Sequence, residues 1–206
     1  MTCRLPRHIW CGTGIDAGIE FGTGKSAETI AIMAILSIIR APDPMLKKIC
    51  DPVAAVDDEV RTLIDDMLET MYAAPGMGLS APQVGLLRRV IVVDVAKTEG
   101  PRDPVRMVNP ELIEISGDVV AYEEGCLSFP DQYAEVARPT NIRVRYLDYD
   151  NEIAELAAEG LLATCIQHEM DHLDGVLFVD HLSGLKRNMI LRRMAKQRKM
   201  RAATAA

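Results

Sequence analysis

Long apolar runs are scarce in this sequence of 206 residues. The longest, residues 30–39, is interrupted by Ser37, and a membrane-spanning helix needs about 20 apolar residues. The residues before it include Asp16, Glu20 and Glu28, acidic side chains that are unusual in a secretory signal or a mitochondrial presequence. The sequence therefore predicts no membrane span, and we expect no membrane partner.

Cysteine is too sparse for a disulfide-stabilised scaffold. There are five cysteines, an odd number with irregular spacing, whereas a disulfide framework normally shows an even number at regular spacings. Free cysteines are typical of a reducing compartment. We therefore expect the protein to work in the cytoplasm.

Positive charge is in deficit over the whole chain but not near its end. Lys plus Arg number 23 and Asp plus Glu number 30, giving a net charge of −7, which argues against general binding of nucleic acid. Residues 185–201 are different, because they hold eight basic residues and no acidic one. A segment this basic can contact phosphates even when the rest of the protein is acidic.

The character of the sequence changes at Met33. Residues 1–32 contain scattered glycines and no amphipathic period, so we expect an extra N-terminal leader that is flexible or reflects a mis-assigned start. Residues 33–206 have the apolar periodicity of a globular domain. The chain is thus divided into a leader and one domain, which includes a basic C-terminal helix over 183–201.

Apolar spacing within this domain predicts helices and short strands. The predicted elements are a helix over 57–74 with a cap at Asp57 or Asp58, a loop over 75–85, strands over 90–95, 105–108, 112–115, 119–122, 142–146 and 153–156, a helix over 161–173 closed by Gly175, and the helix over 183–201. Strands grouped between helices are typical of an α+β domain with a mostly antiparallel sheet.

The strongest local signal is the segment His168-Glu169-Met170-Asp171-His172. Histidines four residues apart lie on one face of a helix, so both imidazoles can bind the same metal ion. Glu169 lies beside such an ion, where a base for a bound water is needed. The alternative is a helix that carries two ordinary histidines.

A third metal ligand is required, because catalytic sites usually have three protein ligands. His181 follows His172 by nine residues and is half a turn out of phase on a continued helix. Cys165 precedes His172 by seven residues, about 10.5 Å along a helix, which is too far for both to bind one ion together with His168. Cys126, at the end of a predicted strand, can approach the helix from the side. A structural role for this cysteine is the alternative.

Three segments, GMGLSAPQVG (76–85), EGCLS (124–128) and QHEMDH (167–172), resemble in order the signature motifs of peptide deformylases. The resemblance extends from Met33 to about Leu182. It implies an α+β fold in which antiparallel β-sheets pack around a central metal-binding helix, followed by a C-terminal helix. It also implies a metal-dependent hydrolase that removes the N-formyl group from the formylmethionine of nascent peptides and releases formate.

The resemblance assigns roles to individual residues. It implies metal ligands at Cys126, His168 and His172, a general base at Glu169, and oxyanion donors in the side chain of Gln83 and the backbone N–H of Leu127. It implies a substrate-binding strand edge at Gly76, Met77 and Gly78, and an apolar pocket for methionine at Leu161 and Cys165. Two positions depart from the motifs: Ser80 stands where alanine is frequent, and Tyr133 stands where some members have arginine.

The metal and the partners follow partly from chemistry and partly from the resemblance. One cysteine and two histidines suit Zn²⁺, Fe²⁺, Ni²⁺ or Co²⁺, and the resemblance implies one Fe²⁺ per chain in the cell. It also implies work near the peptide exit of the ribosome, where we expect the helix over 183–201 to contact RNA. Two alternatives remain at this point: a small metalloprotease, and a non-enzymatic ribosomal protein with a structural metal.

Overall fold

The computed structural model describes residues 34–96 and 101–204. The leader expected over residues 1–32 lies outside the described residues. In chain order the helices and strands are α1 (Asp58–Ala73), β1 (Gly78–Ser80), β2 (Val90–Val93), β3 (Val105–Gly125), β4 (Tyr133–Leu147), β5 (Ile153–Glu159), α2 (Gly160–Leu173) and α3 (Gly184–Thr204).

Helix α1 forms where the apolar period predicts it. Asp57 caps its start by accepting a hydrogen bond from the backbone N–H of Val60 at 3.0 Å, which satisfies one of the free donors of the first turn. The apolar stripe of the helix is buried at Val60, Leu63, Ile64, Met67, Leu68 and Met71. It packs against Leu79, Val90 and Val92 of the sheet.

The five strands form one antiparallel sheet in the order β1-β2-β3-β4-β5. The prediction of three separate strands over 105–122 is wrong, because they are parts of the single strand β3. Register shifts at three places in its pairing with β4 absorb extra residues, as β-bulges do. The expected strand over 142–146 likewise begins earlier, at Tyr133, because its outer part pairs with exposed residues of β3 that show no apolar alternation.

The loop predicted over 75–85 contains regular structure. Gly78–Ser80 form the edge strand β1, and Ala81–Val84 form one turn of 3-10 helix. Both elements are too short for a periodic pattern to reveal them. Their backbone runs directly beside α2, and this position matters for the site described below.

Helix α2 lies in the centre of the fold. Ile166, Met170 and Leu173 pack against Ile91 and Val93, which point to the face of β2 opposite α1. The helix ends at Leu173, and Gly175 has a φ of 69° while its N–H donates to the carbonyl of His172. This left-handed glycine is the predicted stop signal. The α+β fold around a central histidine-bearing helix is therefore confirmed.

Helix α3 confirms the predicted C-terminal helix and packs on the domain through few residues. Ile190 and Met194 are buried in a cluster with Phe129 and Phe178, whereas all eight of its basic residues are exposed. Asp180 bonds to Lys47 and forms an ion pair with Arg187 of α3 at 3.1 Å. Among the described residues, no helix combines the length and apolar character needed to cross a membrane.

Candidate metal centre

Helix α2 presents both predicted histidine ligands on one face. The rings of His168 and His172 lie 5.1 Å apart between centroids, and both side chains are buried. Cys126 follows the last residue of β3, and its Sγ lies 3.3 Å from Nε2 of His172. One ligand atom from each of the three residues lies within 4.8 Å of the others. The structure thus brings together a strand-end cysteine and two helix histidines, as the sequence predicts.

The chemistry of this cluster fits a metal ion. Nδ1 of His168 is occupied by a 2.8 Å hydrogen bond to Glu124, while its Nε2 is buried and has no hydrogen-bond partner among the described residues. Buried nitrogen atoms normally have a partner. A thiolate and imidazoles are ligands that bind divalent transition metals well. Cys126, His168 and His172 therefore form a site capable of holding a metal.

The two histidines differ in their electrostatic environment. Burial, reinforced by the charge of His168, lowers the pKa of His172 well below its ordinary value. Burial acts in the same direction on His168, but the neighbouring Cys126 and the hydrogen bond with Glu124 raise its pKa well above the ordinary value. The lowered pKa of His172 favours the neutral imidazole, which is the form that binds a metal.

Cys165 is close to the site but does not belong to the ligand cluster. Burial raises the pKa of its thiol to about 12, with the Glu169 charge acting in the same direction. A thiol that stays protonated near pH 7 is a poor metal ligand, because the thiolate is the binding form. This agrees with the spacing argument that excluded Cys165.

A buried network of charged side chains contacts His168 at Nδ1, the ring nitrogen that is not available to the cluster. Glu124 accepts hydrogen bonds from Nε and Nη2 of Arg138 at 2.5 Å and 3.1 Å, and both side chains are only about 5% exposed. Nη1 of Arg138 also donates to Asp171 at 2.9 Å, and Asp171 contacts His181 at 2.7 Å. Burial alone would raise the pKa of Glu124, but its bonds with His168 and Arg138 lower it. Such a carboxylate fixes the tautomer and orientation of a ligand histidine.

Sequence reasoning missed this network. Glu124 and Asp171 lie inside the quoted motifs, close to the predicted ligands. This position in the sequence is the feature that could have indicated their role. Arg138 lies in no motif and has no local signal. It meets Glu124 because β3 and β4 pair in a register that puts Val120 opposite Arg138, and the two charged side chains then share one face of the sheet.

Glu169 is buried in front of the cluster. Burial raises the pKa of its carboxyl to about 7, although the charge of His168 and the hydroxyl of Ser80 oppose this. Its Oε2 has no hydrogen-bond partner within the described part of the chain. A Cβ placed on Gly78 would lie 2.5 Å from Oε1 of Glu169, so β1 and the carboxylate are in close contact.

The side-chain amide of Gln83 lies beside the candidate ligand Cys126. Its Oε1 accepts hydrogen bonds from the backbone N–H and the hydroxyl of Ser80, both at 2.8 Å. Its Nε2 faces Sγ of Cys126 at 3.4 Å and Oγ of Ser128 at 3.3 Å. The side chain is 1% exposed. An amide donor is thus aimed at the space beside the predicted ligands.

One cavity of about 720 Å³ opens onto His168 and Glu169. It is lined by all of the predicted substrate-binding residues, Gly76, Met77, Gly78, Leu161 and Cys165, and by Leu127. Tyr133 stands at its mouth, 66% exposed, and pairs across the sheet with Gly125. Sequence reasoning missed further lining residues, namely Ile38, Arg40, Tyr122 and Thr164.

Comparisons with known proteins point to one family. A family profile described as Polypeptide deformylase matches residues 35–188. A peptide deformylase of Phenylobacterium zucineum is 55% identical over 167 residues, which cover 81% of this chain and 99% of the relative. A peptide deformylase of Rhizobium meliloti is 50% identical over 173 residues, covering 84% and 99%.

Solved structures show the same likeness. A crystal structure of peptide deformylase from Ehrlichia chaffeensis matches with a TM-score of 0.78 and 38% identity, covering 82% of this chain and 99% of that one. A second structure from Ehrlichia chaffeensis, in complex with actinonin, matches with a TM-score of 0.76 and 41% identity, covering 80% and 98%.

Proposed function

The chain belongs to the peptide deformylase family, and from this premise we propose how its own residues perform the family's reaction. The protein is a hydrolase that removes the N-formyl group from nascent peptides, with formate and a free amino terminus as products. The observation that carries the proposed mechanism is the buried cluster of Cys126, His168 and His172, with Glu169 beside it in an open cavity.

Peptide deformylases are metalloenzymes, and Cys126, His168 and His172 would hold the ion in this chain. When bound, a divalent cation lowers the pKa of water and polarises a carbonyl oxygen. We assign Fe²⁺ as the metal in the cell, in line with the family, while the donor set also accepts Zn²⁺, Ni²⁺ or Co²⁺. The Glu124–Arg138 pair holds the His168 ring with Nε2 toward the cluster.

Glu169 is the proposed general base. Its Oε2 takes a proton from the water that attacks the formyl carbon, and the same carboxyl then gives a proton to the departing amine. A base works best when its pKa is near the working pH, and burial supplies this by raising the pKa of Glu169 to about 7. Proton balance is kept, because water supplies one hydroxyl to formate and one hydrogen to the amine.

Gln83 and Leu127 are the proposed donors to the oxyanion that forms on the formyl group. Nε2 of Gln83 is fixed beside Cys126, and the backbone N–H of Leu127 follows that ligand in the chain. Donors held in place before the reaction cost no reorganisation in the transition state. Each is typically worth about 3–4 kcal/mol of barrier.

The substrate backbone is proposed to pair with the edge strand β1 and the residues before it. Gly76, Met77 and Gly78 line the cavity, and pairing through the backbone lets one site accept many peptide sequences. A Cβ on Gly76 would lie 2.7 Å from Cδ1 of Leu127, so glycine permits this close packing. Leu161 and Cys165 supply an apolar wall for the methionine side chain.

The decisive assay is formate release by the protein loaded anaerobically with Fe²⁺ or Ni²⁺. We expect rapid formate release from formyl-Met-Ala-Ser and no acetate release above background from acetyl-Met-Ala-Ser, together with one metal per chain. Cleavage of an internal peptide bond without formate release would contradict the proposal and would indicate a protease.

We also propose that helix α3 binds ribosomal RNA near the peptide exit, in the cytoplasm, where formylated substrates emerge. The support is its charge, since eight basic residues are exposed on an otherwise acidic protein. Phosphate contacts release counterions, so the affinity must fall steeply with salt.

Ribosome binding can be tested without unfolding the helix. The test variant carries glutamine in place of four exposed basic residues of α3, namely Arg192, Arg193, Lys196 and Lys199, and keeps the buried Ile190 and Met194. It should bind ribosomes more weakly at about 0.1 M salt, while its hydrolysis of short formyl peptides stays normal. Changing the exposed Lys48 and Arg143 to glutamine is the control of similar chemistry away from α3. Equal ribosome binding by the α3 variant and the wild type would contradict the proposal.

A further inference from the structure

Ser80 is a fully buried hydroxyl residue beside Gln83. Its exposure is 0%, and it precedes the 3-10 turn Ala81–Val84. A buried hydroxyl is costly unless it is hydrogen-bonded. Its bond is to Oε1 of Gln83 at 2.8 Å, and this contact links Ser80 to a proposed oxyanion donor.

The contact decides which end of the Gln83 amide faces the reaction. A carboxamide has one acceptor end and one donor end, and the Ser80 backbone N–H and hydroxyl both donate to Oε1. A flipped amide would place its NH₂ group against the backbone donor, which cannot turn away. Nε2 is therefore directed to the opposite side, toward Cys126.

The opposite end of the amide is held less firmly. Nε2 of Gln83 lies 3.4 Å from Sγ of Cys126, which is a weak acceptor. It lies 3.3 Å from Oγ of Ser128, which is long for an N–H···O hydrogen bond. The two short bonds at Oε1 therefore supply most of the restraint on the side chain. Of these, the hydroxyl bond is the one that a side-chain substitution can remove.

We propose that Ser80 is a positioning residue for deformylation, and that its hydroxyl holds the Gln83 amide so that Nε2 stays directed at the developing oxyanion. The proposal rests on the role proposed for Gln83. Because the oxyanion exists only after the water has attacked, losing this restraint lowers kcat and leaves KM unchanged. The Ser80 hydroxyl also lies beside the Glu169 carboxyl. A hydroxyl has one proton and donates to one acceptor at a time, so the experiment must separate the two partners.

A double-mutant cycle makes this separation. We compare wild type, Ser80→Ala, Gln83→Ala and the double variant, each loaded with the same metal, for kcat and KM on a formyl-Met peptide. Ser80→Ala should lower kcat about 3- to 10-fold, as expected for one neutral hydrogen bond. Gln83→Ala should lower it about 10²-fold or more. In the Gln83→Ala background, Ser80→Ala should have no further effect.

The control is Thr70→Val, which removes another buried hydroxyl while keeping the shape of the side chain. Thr70 lies on α1 and bonds to the carbonyl of Asp66 and the N–H of Leu36. We expect a lower unfolding temperature for this variant and an unchanged kcat. A merely structural Ser80 would behave in the same way.

Three results would overturn the inference. An unchanged kcat in Ser80→Ala, with a large loss in Gln83→Ala, overturns the role of Ser80 and leaves that of Gln83 intact. The same loss from Ser80→Ala in both backgrounds means that the hydroxyl acts elsewhere, for example on Glu169. An unchanged kcat in Gln83→Ala overturns the proposed oxyanion donor and the role of Ser80 with it.

Discussion

Replacing Arg138 by methionine removes the positive charge that balances two carboxylates behind the metal centre. Arg138 and Glu124 are each about 5% exposed, with bonds of 2.5 Å and 3.1 Å between them, and Asp171 takes a third bond at 2.9 Å. Methionine fills similar space but leaves Glu124 buried with only His168 as a partner. Removing one member of a buried ion pair typically costs about 3–5 kcal/mol, and we expect a loss of this size.

The assay is urea unfolding monitored by circular dichroism, with metal-free protein so that metal affinity does not contribute to the free energy of unfolding. The matched control is Arg145→Met on the same strand, where the guanidinium bonds to Glu155 but is 50% exposed. An exposed pair is worth at most about 1 kcal/mol. A loss in Arg138→Met no larger than in Arg145→Met would refute the reasoning.

Metal affinity gives a second readout of the same substitution. Glu124 orients the ligand ring of His168 through Nδ1. Without the guanidinium of Arg138, this carboxyl is free to move or to take up a proton. Loss of such support for a ligand typically costs 10- to 100-fold in metal affinity, to order of magnitude. Competition with a chromophoric chelator measures it, and wild-type affinity in Arg138→Met would contradict the role given to the pair.

Three further predictions follow from individual contacts. Cys126→Ala should lose the metal whereas Cys165→Ala should keep it, as metal analysis after dialysis will show; the reverse outcome would overturn the ligand assignment. Gly78→Ala should retain the metal but lose most formate release, because the new Cβ would lie 2.5 Å from the base carboxylate, whereas Gly184→Ala, with no described atom within 4 Å of its Cβ, should be normal. Asp180→Asn should make the free energy of unfolding less sensitive to acid. Burial alone would raise the pKa of Asp180, but bonds from Lys47 and a backbone N–H lower it below 3.8. The carboxylate therefore stabilises the fold above pH 3.8, and this stabilisation is lost as the pH falls through the lower pKa of the folded state. Unfolding curves between pH 3 and 7 that are identical for wild type and variant would contradict this.

The parts of the site that the sequence predicts are those encoded by local spacing. His168 and His172 share a face because the helix period places residues four apart together, and Cys126 was identifiable because it ends a strand. The cap at Asp57 and the stop at Gly175 follow from equally local rules. These features depend on a few neighbouring residues and not on the rest of the fold.

The parts that the sequence does not predict depend on pairing between distant segments. The sequence predicts three strands where β3 is a single one, because the outer half of β3 is exposed and lacks apolar alternation. Only its pairing with β4 makes it continuous. Arg138 reaches Glu124 through the same pairing. The orientation of the Gln83 amide depends on two donors from Ser80, a detail that no motif reveals.

The most direct test of the mechanism is to measure metal content and formate release on one preparation of Glu169→Gln. Glutamine keeps the size of the side chain but cannot take the proton, and Glu169 is not among the three residues of the ligand cluster. We predict one metal per chain, as in the wild type, and a loss of formate release of at least about 10²-fold. Formate release within a few-fold of the wild type, or a variant that no longer binds metal, would contradict the assignment of Glu169 as the base beside a Cys126–His168–His172 centre.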